Sequence, residues 1–131
     1  MEYLWFYMFE NLAKALLLTL VLEAPVIWLG LGTRISEGNK RKLIVNFVLI
    51  NAITNIAFNT LLYAFSLFIL TLSGIILVYV IVILELIIPF IEAKMYRYTT
   101  NEFSMKRLLV TCYIANIVSF LLGSWIMSIW G

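Results

Sequence analysis

The stretch 75–96, IILVYVIVILELIIPFIEAKMY, holds Glu85, Glu92 and Lys94 as its only charged residues. At about 1.5 Å of rise per residue, a helix of this length crosses the roughly 30 Å hydrocarbon layer of a bilayer. The run has no alternation of polar and apolar positions, so it does not read as a barrel strand. Working outward, similar runs occupy 11–32, 43–70 and 108–130, and the chain reads as an all-α integral membrane protein with four transmembrane helices in a single domain, 1–131. The composition agrees. Of 131 residues 64% are hydrophobic and 12% charged, whereas a soluble domain carries about a quarter charged residues. Lipid must supply the missing polar cover.

The basic residues set an orientation. Arg34, Lys40, Arg41 and Lys42 lie in loop 33–42, and Arg97, Lys106 and Arg107 lie in loop 97–107 just after Lys94, whereas the short turn at 71–74 has none. By the positive-inside rule both basic loops face the cytoplasm and both termini lie outside, as in a plasma (inner) membrane protein. Trp5, Trp125, Trp130, Tyr3 and Tyr7 then share one outer-leaflet belt, where amphipathic rings are favoured. The first apolar run lacks a basic n-region and a small-residue cleavage pattern, so it is expected to be retained as a helix. A net charge of +2, in short clusters between spans, excludes nucleic acid as a partner.

The short turn makes helices two and three antiparallel neighbours and divides the chain into two antiparallel hairpins. Gly32 reads as a C-terminal cap, and Glu37-Gly38-Asn39 as a turn. The hairpins read as a possible parallel duplication. Arg41 to Val45, Asn51 and Thr54 reappear as Lys106 to Val110, Asn116 and Ser119 at an offset of 65, and Glu23-Ala24 returns as Glu92-Ala93 at an offset of 69. Pro25 and Pro89 suggest a rival offset of 64.

Ionisable residues inside a span are costly unless paired, protonated or wetted, which makes them functional candidates. Glu23 lies 11 residues before Arg34, and Glu85 lies ten residues into the third helix, so both fall near the midplane. Glu92, one heptad beyond Glu85, is expected nearer the headgroups, where Lys94 or Arg97 can satisfy it. Asn51, Asn55 and Asn59 at i, i+4 spacing form one polar stripe on helix two, and Cys112, Asn116, Ser119 and Gly123 form another on helix four. Asn51 and Asn116 should lie at a similar depth and meet Glu23 and Glu85. Pro25 and Pro89 free the carbonyls of Val21 and Glu85. The competing reading of the stripes is ordinary helix packing, in which amides and small residues serve as glue and a buried acid is protonated and inert.

The chain has no His, no Asp and one Cys, which removes the ligand sets of familiar zinc and haem sites and an intramembrane aspartyl dyad, and no cofactor is implied. Cys112 reads as a small buried side chain. The inventory points first to a small transport protein, a proton- or cation-coupled transporter or channel. Glu23, Glu85 and Glu92 with Asn51, Asn55 and Asn116 would be its ion-binding groups, in a homo-oligomer. The alternative is a noncatalytic membrane subunit that docks on other transmembrane helices. A lipid- or isoprenoid-modifying enzyme is a third reading, with Glu23 or Glu92 as acid or base, but no catalytic constellation accompanies it. Small four-helix membrane proteins include small multidrug transporters and fluoride channels, and a lone glutamate in the first helix is a general resemblance to the former. The basic first loop and the acids of the third helix depart from that pattern, and no residue role is carried over.

Overall fold

A computed structural model describes the backbone of residues 2–69 and 74–130 and the side chains of 10–65 and 74–129. The described residues form four long helices: α1 (Glu2–Ile27), α2 (Lys40–Ile69), α3 (Gly74–Thr99) and α4 (Met105–Trp130). Each contains a stretch long and apolar enough to cross a membrane. In hydrocarbon a helix is the one open-chain form that pairs its own backbone groups, which explains why such runs are helical throughout. The turn at 71–73 and the side chains of Tyr3, Trp5, Tyr7 and Trp130 lie outside the described residues.

The helices pack in chain order as a ring, with α1 against α2 and α4, and α3 against the same two. They extend beyond the apolar runs at the basic ends: Lys40 to Lys42, Arg97 to Thr99 and Met105 to Arg107 are helical. Hydropathy marks where lipid begins, whereas the helix continues until its hydrogen bonding stops.

Gly32 is not the expected left-handed cap, since no described residue has a positive φ. Instead α1 widens into a π-helical turn, Trp28–Gly32. The Thr33 N–H donates to the Trp28 carbonyl (3.0 Å) and the Thr33 hydroxyl to that of Leu29 (3.1 Å). Thr33 thus supplies the closing donors. The expected turn at Glu37–Asn39 is a short 3-10 helix.

The two basic loops lie at the same end of the bundle and are clasped there. Glu102 accepts from the Ser36 N–H (3.0 Å), the Ser36 hydroxyl (2.6 Å) and the Asn39 amide (2.7 Å). These donors hold its exposed carboxyl below the usual carboxylate range, the Ser36 side chain contributing most. Below the clasp, Gly30 of the π turn approaches α4 so closely that a Cβ there would meet Thr111 Cγ2 at 2.5 Å. The Gly30 carbonyl accepts from the Arg107 guanidinium at 3.1 Å.

The buried apolar side chains are confined to this half. Ile27, Leu31, Ile35, Leu43, Phe47, Ile50, Ala93, Tyr96, Phe103, Leu108, Cys112 and Ala115 form one cluster. Ile35 and Phe103 belong to the two loops, and each of the others to the loop end of its helix. In the other half no described apolar residue is comparably buried, and a cavity takes the place of a core.

Candidate functional site: an acidic cavity in the bundle

The cavity has a volume of about 300 Å³ and draws on all four helices. Glu23 of α1, Asn51 and Asn55 of α2, Glu85 and Glu92 of α3 and Asn116 of α4 all line it. The side chains singled out on the sequence therefore converge. Thr19, Thr54, Asn59, Ser119 and Ser124 add neutral polar groups, Phe58, Ile88, Phe120 and Met127 an apolar remainder, and no Lys or Arg reaches it. From Glu23 to Ala15 the lining follows α1 for eight residues, about 12 Å away from the loops. The acids of α1 and the far end of α3 sit at its floor.

Glu92 is the most connected of these groups. It is 3% exposed, with one carboxyl oxygen accepting from the Thr54 hydroxyl of α2 at 2.8 Å and the other from the Asn116 amide of α4 at 2.7 Å. It does not pair with Lys94 or Arg97. Lys94 lies over the Phe90 ring, 4.8 Å from its centroid, and Arg97 donates to the Phe103 carbonyl at 3.1 Å. Counting residues placed Glu92 near the headgroups, but its helical face turns it inward.

Glu23, 2% exposed, has the side chains of Asn51 and Ser119 within hydrogen-bonding reach. Asn51 donates to the Phe47 carbonyl at 3.0 Å, while its Oδ1, fully buried, has no partner among the described residues. Glu85 is half-buried and meets neither asparagine expected of it. The Asn116 amide goes to Glu92. Among the described residues no donor or cation is paired with the Glu85 carboxyl.

The rest of the asparagine stripe is tied along its helix and to α1. Asn55 donates to the Thr19 hydroxyl (3.3 Å), and Asn59 to the backbone and side-chain oxygens of Asn55 (2.9 and 3.1 Å). The α4 stripe also turns inward. Cys112 is buried, Asn116 and Ser119 serve the acids, and an added Cβ on Gly123 would touch Leu18 and Leu22 of α1 at 3.7 and 3.8 Å. Both stripes are thus spent inside the chain.

One polar group of this region escaped the sequence reading. Tyr96 is 1% exposed, and its hydroxyl has no partner among the described residues. It lies in the electrostatic field of Glu92, Glu23 and Cys112, on the loop side of the cavity. Its position four residues after Glu92 on one helical face is the signal that pointed to it. Near Pro89, the Tyr113 hydroxyl donates to the Leu86 carbonyl at 2.7 Å, so the backbone beside the proline draws on α4 for a donor.

A wall of carboxyls and carbonyl oxygens can accept protons or hold a hydrogen-bonding cation, whereas an anion would find no counter-charge. The described residues contain no cluster of three or more acidic, His or Cys side chains placed to hold a metal ion. No known protein family, curated protein or solved structure matches the chain.

Proposed function

We propose that this chain is a small membrane transport protein that moves protons or cations, with Glu23, Glu85 and Glu92 as the titratable or ion-binding groups and Asn51, Asn55 and Asn116 as the polar lining. The observation that carries the reading is the cavity itself: three acids from two helices and no basic residue, at a depth where an acid serves packing poorly. Glu85 adds weight, because a carboxyl with no donor among the described residues is costly in a sealed interior and useful in a wetted one.

The proposal includes a duplicated architecture of two antiparallel hairpins, α1 with α2 and α3 with α4. Glu23 has Asn51 of its own hairpin and Ser119 of the other beside it. Glu92 accepts from Asn116 of its own hairpin and Thr54 of the other. Under an exchange of hairpins Glu23 maps on Glu92, Asn51 on Asn116 and Thr54 on Ser119, which reproduces the pairing of offsets in the sequence. A pseudo-twofold axis along the membrane normal would then pass between the two acids. Two equivalent halves suit alternating access, with the buried cluster of Leu31, Leu43, Tyr96 and Leu108 closing the loop side and the cavity serving the opposite side. We place the loops in the cytoplasm and the termini outside a plasma membrane, on the basic residues of the loops. We propose that the chain works as a homo-oligomer.

A second reading, a noncatalytic subunit docking on other membrane helices, draws on α3. Only 6% of its most apolar stretch is buried within the chain, leaving a long face for lipid or for another helix.

Carboxyl infrared titration of the protein in lipid, with Glu23→Gln, Glu85→Gln and Glu92→Gln for assignment, tests the transport reading. Bands that titrate reversibly between about pH 5 and 9 and shift when alkali, alkaline-earth or organic ammonium cations are added are expected of accessible groups. Bands that ignore both pH and cations would sink the proposal and leave the subunit reading. In proteoliposomes the Glu23→Gln and Glu92→Gln variants should lose flux while Lys14→Gln, outside the cavity, keeps it.

A further inference from the structure

A second concavity lies on the outside of the bundle at the loop end, between the π turn of α1 and the first turns of α4. It is about 630 Å³ and lined by Val26, Leu29 and Gly30 on one side and by Ser104, Lys106, Arg107, Val110, Thr111 and Ile114 on the other. Its charged residues lie at one end along the membrane normal and its apolar residues at the other, with Thr111 the one polar side chain among the latter. Ser104, Lys106 and Arg107 sit at the edge of the α4 span, and Val110 and Ile114 follow one and two turns deeper, about 12 Å from Lys106 to Ile114. Val26 and Leu29 face them from α1, and Leu29 and Val110 are exposed (71% and 50%).

From this arrangement we infer that the groove binds one anionic phospholipid of the leaflet that meets the two loops, its phosphate held by Arg107, Lys106 and Ser104 and its acyl chain laid along Leu29, Val110 and Ile114. The lining carries two cations and no acid, so the charge balance favours an anion. Neither cation is in an ion pair with a described carboxylate. Arg107 is pre-oriented: one N–H donates to the Gly30 carbonyl at 3.1 Å, and a guanidinium has four more donors to offer. Its planar fork matches a phosphate bidentately, and Lys106 adds a flexible point charge. The narrow floor, where Gly30 meets Thr111, keeps the two helices at a fixed separation and the groove in one shape. Basic pockets between transmembrane helices at a membrane surface are suited to lipid headgroups. The apolar continuation separates this ligand from free phosphate, which has no use for it. The inference stands apart from the acidic cavity and does not depend on transport.

Native mass spectrometry of the intact protein in detergent, titrated with phosphatidylglycerol or phosphatidylcholine of identical chains, provides the test. The first phosphatidylglycerol should bind at least about tenfold more tightly than phosphatidylcholine, given a worth of about 1 kcal/mol for each basic residue at the surface. Lys106→Gln should weaken it about fivefold by the same measure. Val110→Trp should also weaken it, by filling the apolar half, and both variants leave the Arg107–Gly30 contact in place. Lys42→Gln, outside the groove, should change nothing. Equal affinity for the two lipids overturns the inference, as does an equal loss from Lys42→Gln and Lys106→Gln, which would mean diffuse attraction. Displacement of phosphatidylglycerol by excess inorganic phosphate would overturn it too, by showing that the anion alone is the ligand.

Discussion

Glu92 decides what a single side chain does in this protein, because it is the point where α2, α3 and α4 are joined through polar atoms. Removing it takes away the shared acceptor and leaves a void, with the Thr54 hydroxyl and the Asn116 amide falling back on the Ile50 and Cys112 carbonyls of their own helices (3.0 and 2.9 Å), and the loss of hydrogen bonds to a buried group costs about 1–3 kcal/mol. Glu92→Ala should therefore unfold at a clearly lower temperature than the parent in the same lipid–detergent mixture. Glu92→Gln should fall between, since the amide keeps one acceptor and turns the other position into a donor. An alanine variant as stable as the parent would mean that the bridge contributes nothing. The acid and both partners stood out in the sequence as polar residues in apolar helices, but their pairing did not. Depth along a helix can be counted, whereas the direction a side chain takes depends on helix rotation, and the counted depth assigned Glu92 to Lys94 and Arg97. Cys112 was legible because a lone thiol in an apolar run has one common fate. Buried as it is, it should react with a polar maleimide far more slowly than a cysteine introduced at exposed Ser104.

Among the elements, the π turn of α1 meets α4 closely at Gly30. A methyl group there would sit 2.5 and 2.6 Å from Thr111 Cγ2 and Oγ1, and overpacking of this kind costs about 1–3 kcal/mol. Gly30→Ala should lower the unfolding temperature, and Thr111→Ala in the same chain should recover much of the loss, because the two sites share one contact. A double variant no better than Gly30→Ala would place the strain elsewhere. The loop clasp gives an element-scale pH dependence. Glu102 is held below the ordinary carboxylate range by its bonds to Ser36 and Asn39. Its contribution is complete at neutral pH, and it disappears as pH falls below the ordinary glutamate value of about 4.3 and through that depressed one. Hydrogen exchange at the Ser36 N–H, corrected for the intrinsic pH dependence, should lose protection over that acid window, and Glu102→Gln should show little protection at any pH. Four spans were readable because apolar length has one solution in a bilayer. The clasp and the Arg107–Gly30 contact were not, since both join segments roughly 65 to 80 residues apart, which periodicity does not encode.

At the scale of the whole molecule the governing feature is asymmetry along the membrane normal: a packed core at the loop end and an acid-floored cavity in the other half. Hydropathy cannot separate the two halves, because both are apolar toward lipid and differ only in what faces inward. The polar stripes were legible and do face inward, yet whether they would close on each other or leave space depended on side-chain volumes across four helices. The asymmetry predicts a one-sided pattern of water access. In a Cys112→Ala background, single cysteines replacing Ala15, Asn59 or Ser124, which line the far part of the cavity, should be labelled by a membrane-impermeant thiol reagent from one face of the membrane only. Cysteines replacing Leu31 or Leu108, which are fully buried, should resist it from both. Addition of a bound cation that reversed the pattern would be the signature of alternating access, because the packed half must then loosen as the cavity half closes. Labelling of Leu31→Cys from the loop face without any ligand would mean an open pore, and a channel would displace a transporter as the better reading. Absence of labelling at all three cavity positions would mean that the acids are sealed from water, and neither form of transport could proceed through them.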